Sequence, residues 1–559
     1  MGAEAPRRVD LYDTTLRDGT QREGISLACA DKLRIAQRLD ALGVRFIEAG
    51  WPGSNPKDEE LFRRVRDVEW KHATIAAFGS TRRVGIGVDD DPSVKSLLDS
   101  GASVCTVFGK TSVVHVEEVL RTTRDENLRM IEETVAFLVA NGRRVIYDAE
   151  HFFDGSREDA SYALETLLAA ERGGAEVLVL CDTNGGTLPW EIEARVREVV
   201  AAVRPAVGIH AHDDAGCAVA NSLAAVRAGA AHVQGTINGY GERCGNANLT
   251  TIIPTLGLKL GLDAIPAEGL ASIGQVSRFV AETANLAFDE HAPYVGRSAF
   301  AHKGGVHVAA IRRAPRSYEH VDPALVGNRT RVVVSELSGR ANVRALAEAH
   351  DVSVADGAEA VVLSRLKARE ANGFAFESAE ASVALLVRRE ESAYSPPFEL
   401  VDYKVFVGHA STGGETYAEA AVKVRIDGVV HHTAAEGNGP VSALDAALRK
   451  ALANAYPQVA NIHLEDYKVR ILDGRDGTSA TTRVLVDHGN GGERWTTVGA
   501  SPNIVEASVI ALADGIEHGL WLESASRSSA EHVESSRETP EALPQEEHRD
   551  EGVDRSVAG

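Results

Sequence analysis

The chain has 559 residues, 44% hydrophobic and 25% charged, a globular composition at a length that calls for two or three domains. A formal net charge of −22 argues against a nucleic-acid partner, because phosphate binding wants Lys and Arg gathered on one face. No apolar run is long enough to span a bilayer and the start, MGAEAPRRVDLYD, lacks the apolar stretch of a secretory signal, so no membrane partner and a cytoplasmic location are expected.

From Val9 to about Thr250 one pattern recurs: a short apolar, β-branched run ends in polar or Gly-rich residues, and a helical stretch follows. The predicted strands close with LYDTTLRDG, RFIEAGWPG, ATIAAFGS, SVCTVFG, RVIYDAEHF, EVLVLCDTNGG, AVGIHAHDDAG and HVQGTINGYGERCGN. Eight βα units predict a (β/α)8 TIM barrel over residues 1–260; an open doubly wound sheet is the weaker alternative, since no early G-x-G-x-x-G turn is present. Cys29, Cys105, Cys181, Cys217 and Cys244 form no C-x-x-C pair and are expected to be buried, reduced thiols. Residues 261–397 alternate helical segments with the polar stretches FAHKGGVHVAA and YEHVDPALVGN and read as an accessory helical subdomain. Over 398–523 a weak internal repeat appears: EAAVKVRIDGVVHHTAAEGNGPVSALDAALRKAL and TTRVLVDHGNGGERWTTVGASPNIVEASVIALADGIEHGL each run from strands through a Gly-rich turn into an amphipathic helix. This predicts a separate α/β domain built from a duplicated ββα-type unit. The acidic tail, 524–559, is Ser/Glu/Arg-rich and is expected to be disordered.

A barrel's chemistry sits at the C-terminal ends of its strands. There Asp18 follows the first strand, and His210 and His212 end the seventh at a spacing that points both imidazoles to one side of an extended chain. One carboxylate and two imidazoles can hold a divalent ion with open positions, and Asn246 in the GERCGN turn offers a further oxygen. Zinc, manganese, magnesium and cobalt all suit such a mixed set. Arg17 can direct a guanidinium at a developing oxyanion, or tie the first strand to a neighbour by an ion pair. Glu150 is a candidate general base, with burial against Arg17 as the competing account. Thr183, in CDTNGG, offers a hydroxyl to a substrate carboxylate or merely stabilises its turn. Glu48 and Asp148 also end strands, where packing and ligand support are the ordinary roles; Asp148 joins Arg17 and Thr183 as a substrate-binding candidate.

DTTLRDGTQ, H-x-H with a following acidic pair, and NGYGERCGNANL together resemble the acyl-CoA-condensing branch of the DRE-TIM metallolyases: the 2-isopropylmalate, homocitrate and citramalate synthases. Within that branch EAGWPGSNPKD, FGSTRR, YDAEHFFDG and CDTNGGTLP are most similar to the long-form (R)-citramalate synthases. The resemblance implies an acyltransferase that condenses acetyl-CoA with pyruvate and hydrolyses the thioester, in isoleucine biosynthesis. It places the metal site on Asp18, His210, His212 and Asn246, and the carbonyl-polarising arginine on Arg17. The base region falls on Glu150, with His302 and Tyr318 contributed by the subdomain of this chain or of a partner. A C-terminal regulatory domain that binds an amino acid, an isoleucine effector and a homodimer are likewise implied. Asp213 departs from the family, which commonly has Asn after the second His; it adds negative charge beside the metal. The rivals are 2-isopropylmalate or homocitrate synthase with other 2-oxo acids, a metal-dependent aldol lyase, and a non-catalytic amino-acid sensor.

Overall fold

The computed structural model describes residues 6–303, 305–333, 340–349, 352, 357–391, 394–409, 416–472, 477, 479–491 and 493–535. All eight predicted barrel strands are present: β1 (Asp10–Asp13), β2 (Phe46–Gly50), β3 (Thr74–Ser80), β4 (Val104–Lys110), β5 (Arg144–Glu150), β6 (Val177–Asp182), β7 (Ala206–Ala211) and β8 (His232–Gly235). They pair in order, all parallel, and close where β8 meets β1 with Asp10 opposite His232. Tyr12, Phe46, Ala76, Val104, Ile146, Val177, Val179 and Cys181 point inward and fill the barrel as a packed core.

The intervening helices begin where the sequence supplies a cap. Asn55 accepts from the Asp58 amide ahead of a helix with Pro56 in its first turn, Thr123 accepts from Glu126, and Asp159 accepts from Tyr162. The buried Lys32–Asp58 ion pair, 2.6 Å, joins the first two helices of the barrel wall. Among the described residues no helix is long and apolar enough to cross a membrane.

The chain divides into two compact units, Met1–Ala301 with Ala314–Arg331, and His302–Arg313 with Val332–Gly559. These do not part at the predicted divisions after residues 260 and 397. The helix Ala267–Thr283 stays with the barrel because Phe279 lies under the Arg34 and Arg38 guanidinium groups, and because Gly269 passes so close that a Cβ would stand 2.0 Å from the Leu42 carbonyl oxygen. In the second unit, helices Arg340–Ala349, Ala358–Ala371 and Glu380–Arg388 join two three-stranded antiparallel sheets. The first sheet is Glu399–His409, Thr416–Ile426 and Val429–Gly437, followed by the helix Pro440–Leu452. The second is His463–Ile471, Thr482–Gly489 and Arg494–Ser501, followed by the helix Ile504–Ser535. The repeat is therefore βββα rather than ββα. That last helix also runs past Ser524, where disorder was expected; residues 536–559 lie outside the described residues.

Candidate active site

Asp18 opens a short 3-10 turn at the end of β1, and β7 carries His210 and, one residue beyond its end, His212, so three side chains far apart in sequence meet at the barrel mouth. One donor atom from each lies within 4.8 Å of the others, and all three residues are buried. His210 Nε2 stands 3.2 Å from His212 Nε2 and 3.3 Å from Asp18 Oδ2. Ligands bonded at 2.0–2.1 Å to one ion, at right-angle to tetrahedral geometry, stand about 2.8–3.4 Å apart, so the spacing suits a shared cation. His210 Nδ1 donates to Gln234 Oε1 at 2.8 Å, which leaves Nε2 with its lone pair facing the cluster, and Gln234 in turn donates to Asp148 Oδ1 at 2.9 Å. Asn246 donates to Asp18 Oδ2 at 2.9 Å, while its own Oδ1 is buried without a hydrogen-bond partner. This donor set fits a divalent ion.

The charges around the cluster act on its members in different directions: burial would lower the His210 imidazole, but the hydrogen bond and charge of Asp18 raise it above its ordinary value, while Asp18 and His212 are held in their binding forms. Burial alone would raise the Asp18 carboxyl, but the Arg17 guanidinium and the two imidazoles hold it well below the usual carboxylate range. Burial, then the neighbouring His210, pushes the His212 imidazole down to about 3. Burial raises Asp148 to about 7. Arg17 is clamped by Glu48, Nε to Oε1 at 2.5 Å, and its guanidinium lies 3.7 Å from the centre of the Phe78 ring. Glu48 in turn accepts from the Tyr12 hydroxyl at 2.7 Å. Arg17 Nη1 stands 3.6 Å from Asp18 Oδ2, and the residue lines the cleft.

The cleft, a cavity of about 200 Å³ open to solvent, is lined by Arg17, Asp18, Asp148, Glu150, Thr183, His210 and His212 among others. The competing account of Glu150 is corrected: the carboxylate against Arg17 is Glu48, and Glu150 pairs instead with Lys110. Thr183 accepts from the His151 amide at 2.9 Å, leaving its hydroxyl hydrogen to donate elsewhere. Asp213 turns away from the cluster, its Oδ1 accepting from the Ala218 amide at 2.8 Å at the start of a helix, so its extra charge serves a cap. Tyr318 belongs to the first unit, is 44% exposed and is not among the residues lining the cleft; His302 begins the second unit.

Several cleft residues escaped the sequence analysis. Trp51, Phe78 and Phe108 form one aromatic wall, Phe78 stacked on Phe108 at 5.4 Å and Trp51 edge-on to both at 5.6 Å. Gln234 and Lys110 hold His210 and Glu150 from neighbouring strands. Arg243 bridges Asp214 at 2.8 and 3.0 Å and the Thr183 carbonyl at 2.8 Å, tying three loops together over the cleft. Each is a contact between distant stretches of chain, and no local motif announces it.

Comparison with known proteins adds three family models in succession: HMGL-like over residues 8–280, homocitrate synthase post-HMGL domain-like over 294–373, and LeuA allosteric (dimerisation) domain over 377–520. The chain is 53% identical to the (R)-citramalate synthase of Synechocystis sp., covering 94% of this chain and 98% of that one. It is 50% identical to the (R)-citramalate synthase of Geobacter sulfurreducens, covering 92% and 97%. Identity falls to 33% with the probable 2-isopropylmalate synthase of Methanopyrus kandleri, although the covered shares, 91% and 98%, are as large.

Proposed function

Since the chain belongs to the (R)-citramalate synthases, by an identity sustained over nearly its whole length, we propose that its barrel mouth joins acetyl-CoA to pyruvate through the residues described above. It is an acyltransferase: the acetyl methyl carbon attacks the keto carbon, and water then releases CoA from the citramalyl thioester. The single observation that carries the site assignment is the meeting of Asp18, His210 and His212 within one ligand sphere beneath a clamped arginine. Asn246 completes that set through its unpartnered Oδ1. When bound there, a divalent ion polarises the keto carbonyl, and two imidazole ligands favour a transition-metal ion over magnesium.

The chain's own side chains do the rest. Arg17, immobilised by Glu48 and stacked on Phe78, faces the oxygen that gains negative charge as the new carbon–carbon bond forms. Thr183 directs its hydroxyl at the acceptor's carboxylate, with Asp148 held behind it by Gln234. Glu150 takes the proton from the acetyl methyl group, and His302 and Tyr318 assist it from this chain or a partner. The aromatic wall of Trp51, Phe78 and Phe108 limits the room beside the keto carbon to a methyl group. The second unit binds isoleucine as the effector and joins two copies of the chain.

Release of free thiol from acetyl-CoA tests this directly. Pyruvate is expected to turn over faster than 2-oxoisovalerate or 2-oxoglutarate, a chelator to abolish release, and isoleucine to slow it. Faster turnover of 2-oxoisovalerate would assign the chain to the other acceptor class.

A further inference from the structure

Lys110 and Glu150 end neighbouring strands and stand opposite one another in the β4–β5 register, so their side chains leave the same face of the sheet side by side. They form an ion pair in which the Lys110 ammonium meets Oε2 of Glu150, with side chains only 17% and 24% exposed. That Oε2 is buried, so the residue's exposure toward the cleft comes through the rest of the side chain, with Oε1 the free carboxylate oxygen. The backbone on both sides is held as well. The Glu150 carbonyl accepts from the Thr111 amide at 3.2 Å and the Thr111 hydroxyl at 2.6 Å. His151, next in the chain, sits in the left-handed region at φ 60° with its amide tied to Thr183. With the main chain fixed, the χ angles of Glu150 are the remaining freedom, and Lys110 is the one cation among the described residues in ion-pair contact with it. Lys110 is itself set by Asn127, which donates to its carbonyl at 2.8 Å.

We propose that Lys110 is a positioning residue for the carbon-acid step: it anchors Glu150 through one carboxylate oxygen so that the other faces the acetyl methyl group. This rests on Glu150 being the base. In the step a methyl C–H bond breaks, an O–H bond forms on Oε1, and the bonding pair moves into the thioester enolate, while Oε2 stays against the ammonium. A carboxylate free to rotate would spend most of its time out of line with the methyl group, and a misplacement of about 1 Å costs on the order of a hundredfold in rate.

The test compares Lys110→Met, Lys110→Gln, Lys110→Arg, Glu150→Gln and the double variant Lys110→Met/Glu150→Gln in the full-length, metal-loaded enzyme. Lys110→Met and Lys110→Gln are expected to lower kcat about 10- to 100-fold with the KM for pyruvate within about twofold. The isotope effect on kcat with trideuterated acetyl-CoA should rise, because proton removal becomes slower than the steps after it. Lys110→Arg should recover most of the rate, and the double variant should be no slower than Glu150→Gln alone. Near-normal kcat in the methionine and glutamine variants, beside a crippled Glu150→Gln, would overturn the positioning role and leave the base intact. A Glu150→Gln enzyme of normal rate would instead remove the base beneath it, and multiplicative losses in the double variant would show Lys110 acting elsewhere.

Discussion

Gln234 is the side chain that decides which nitrogen of His210 is free. It accepts from Nδ1 at 2.8 Å inside the barrel, and a histidine without that partner loses both its tautomer and its ring orientation. Gln234→Leu is therefore expected to weaken metal binding about 10- to 100-fold, read by competition with a chromophoric chelator, with much of the activity returning at saturating metal. Arg17 tests the opposite side of the reaction. An ammonium in its place cannot keep the Glu48 bond, the Phe78 stack and the approach to Asp18 together, so Arg17→Lys should lower kcat about 100-fold or more in an enzyme that still binds metal normally. The meeting of Asp18, His210 and His212 was legible in the sequence because a carboxylate after β1 and an H-x-H at the end of β7 must converge once the barrel closes. Gln234 and Lys110 were not, and Glu48 was legible only as a strand-end residue in a packing or supporting role, for a physical reason. Each works by standing beside a residue 24 to 40 positions away, and each alone is an ordinary polar residue in a strand.

Elements were legible where burial imposes a strong pattern, as in the barrel strands. The first strand of each C-terminal repeat, Glu399–His409 and His463–Ile471, mixes charged and apolar residues along a half-exposed edge, and that dilutes the alternation. The signal that was there is the echo of LVDYKV at residues 400–405 in LEDYKV at 464–469. Both strands slip register at the same place, between Leu400 and Asp402 and between Leu464 and Asp466, so the bulge is part of the repeated unit. The closing helix of the second repeat meets its sheet through small residues. At Gly515 a Cβ would stand 2.1 Å from Cε1 of the buried His488, and at Gly519 one would stand 2.6 Å from both Ile462 and Trp495. Gly515→Ala is accordingly expected to destabilise the second unit by about 1–3 kcal/mol in thermal or denaturant unfolding, without moving the unfolding of the barrel.

At the scale of the whole molecule, the order barrel, helices, duplicated sheet–helix unit was legible, but the division between units was not, because Phe279 and Gly269 bind a nominally linking helix to the barrel wall. Among the described residues, each unit carries one buried histidine whose two ring nitrogens have no hydrogen-bond partner: His232 in the barrel, between Tyr12 and Phe46, and His488 in the second sheet, stacked on Trp495. Burial pushes the His232 imidazole down to about 3 and His488 down to about 4; Arg449 adds to the second shift and Asp487 opposes it. Both folded values lie below the unfolded value, near 6.5. Between the two the unfolded chain holds a proton that the folded chain lacks, so stability rises with pH there. The stabilisation is fully present above about pH 6.5 and drains away as pH falls toward 4 in the second unit and toward 3 in the barrel, roughly 3–5 kcal/mol for each histidine. Thermal unfolding between pH 7 and 4.5, with chelator present so that loss of metal does not contribute, should show both units weakening. His488→Leu should flatten the slope of the second unit alone, and His232→Leu that of the barrel alone. A slope unchanged by either replacement would mean that carboxylates, not these imidazoles, set the acid limit of the fold.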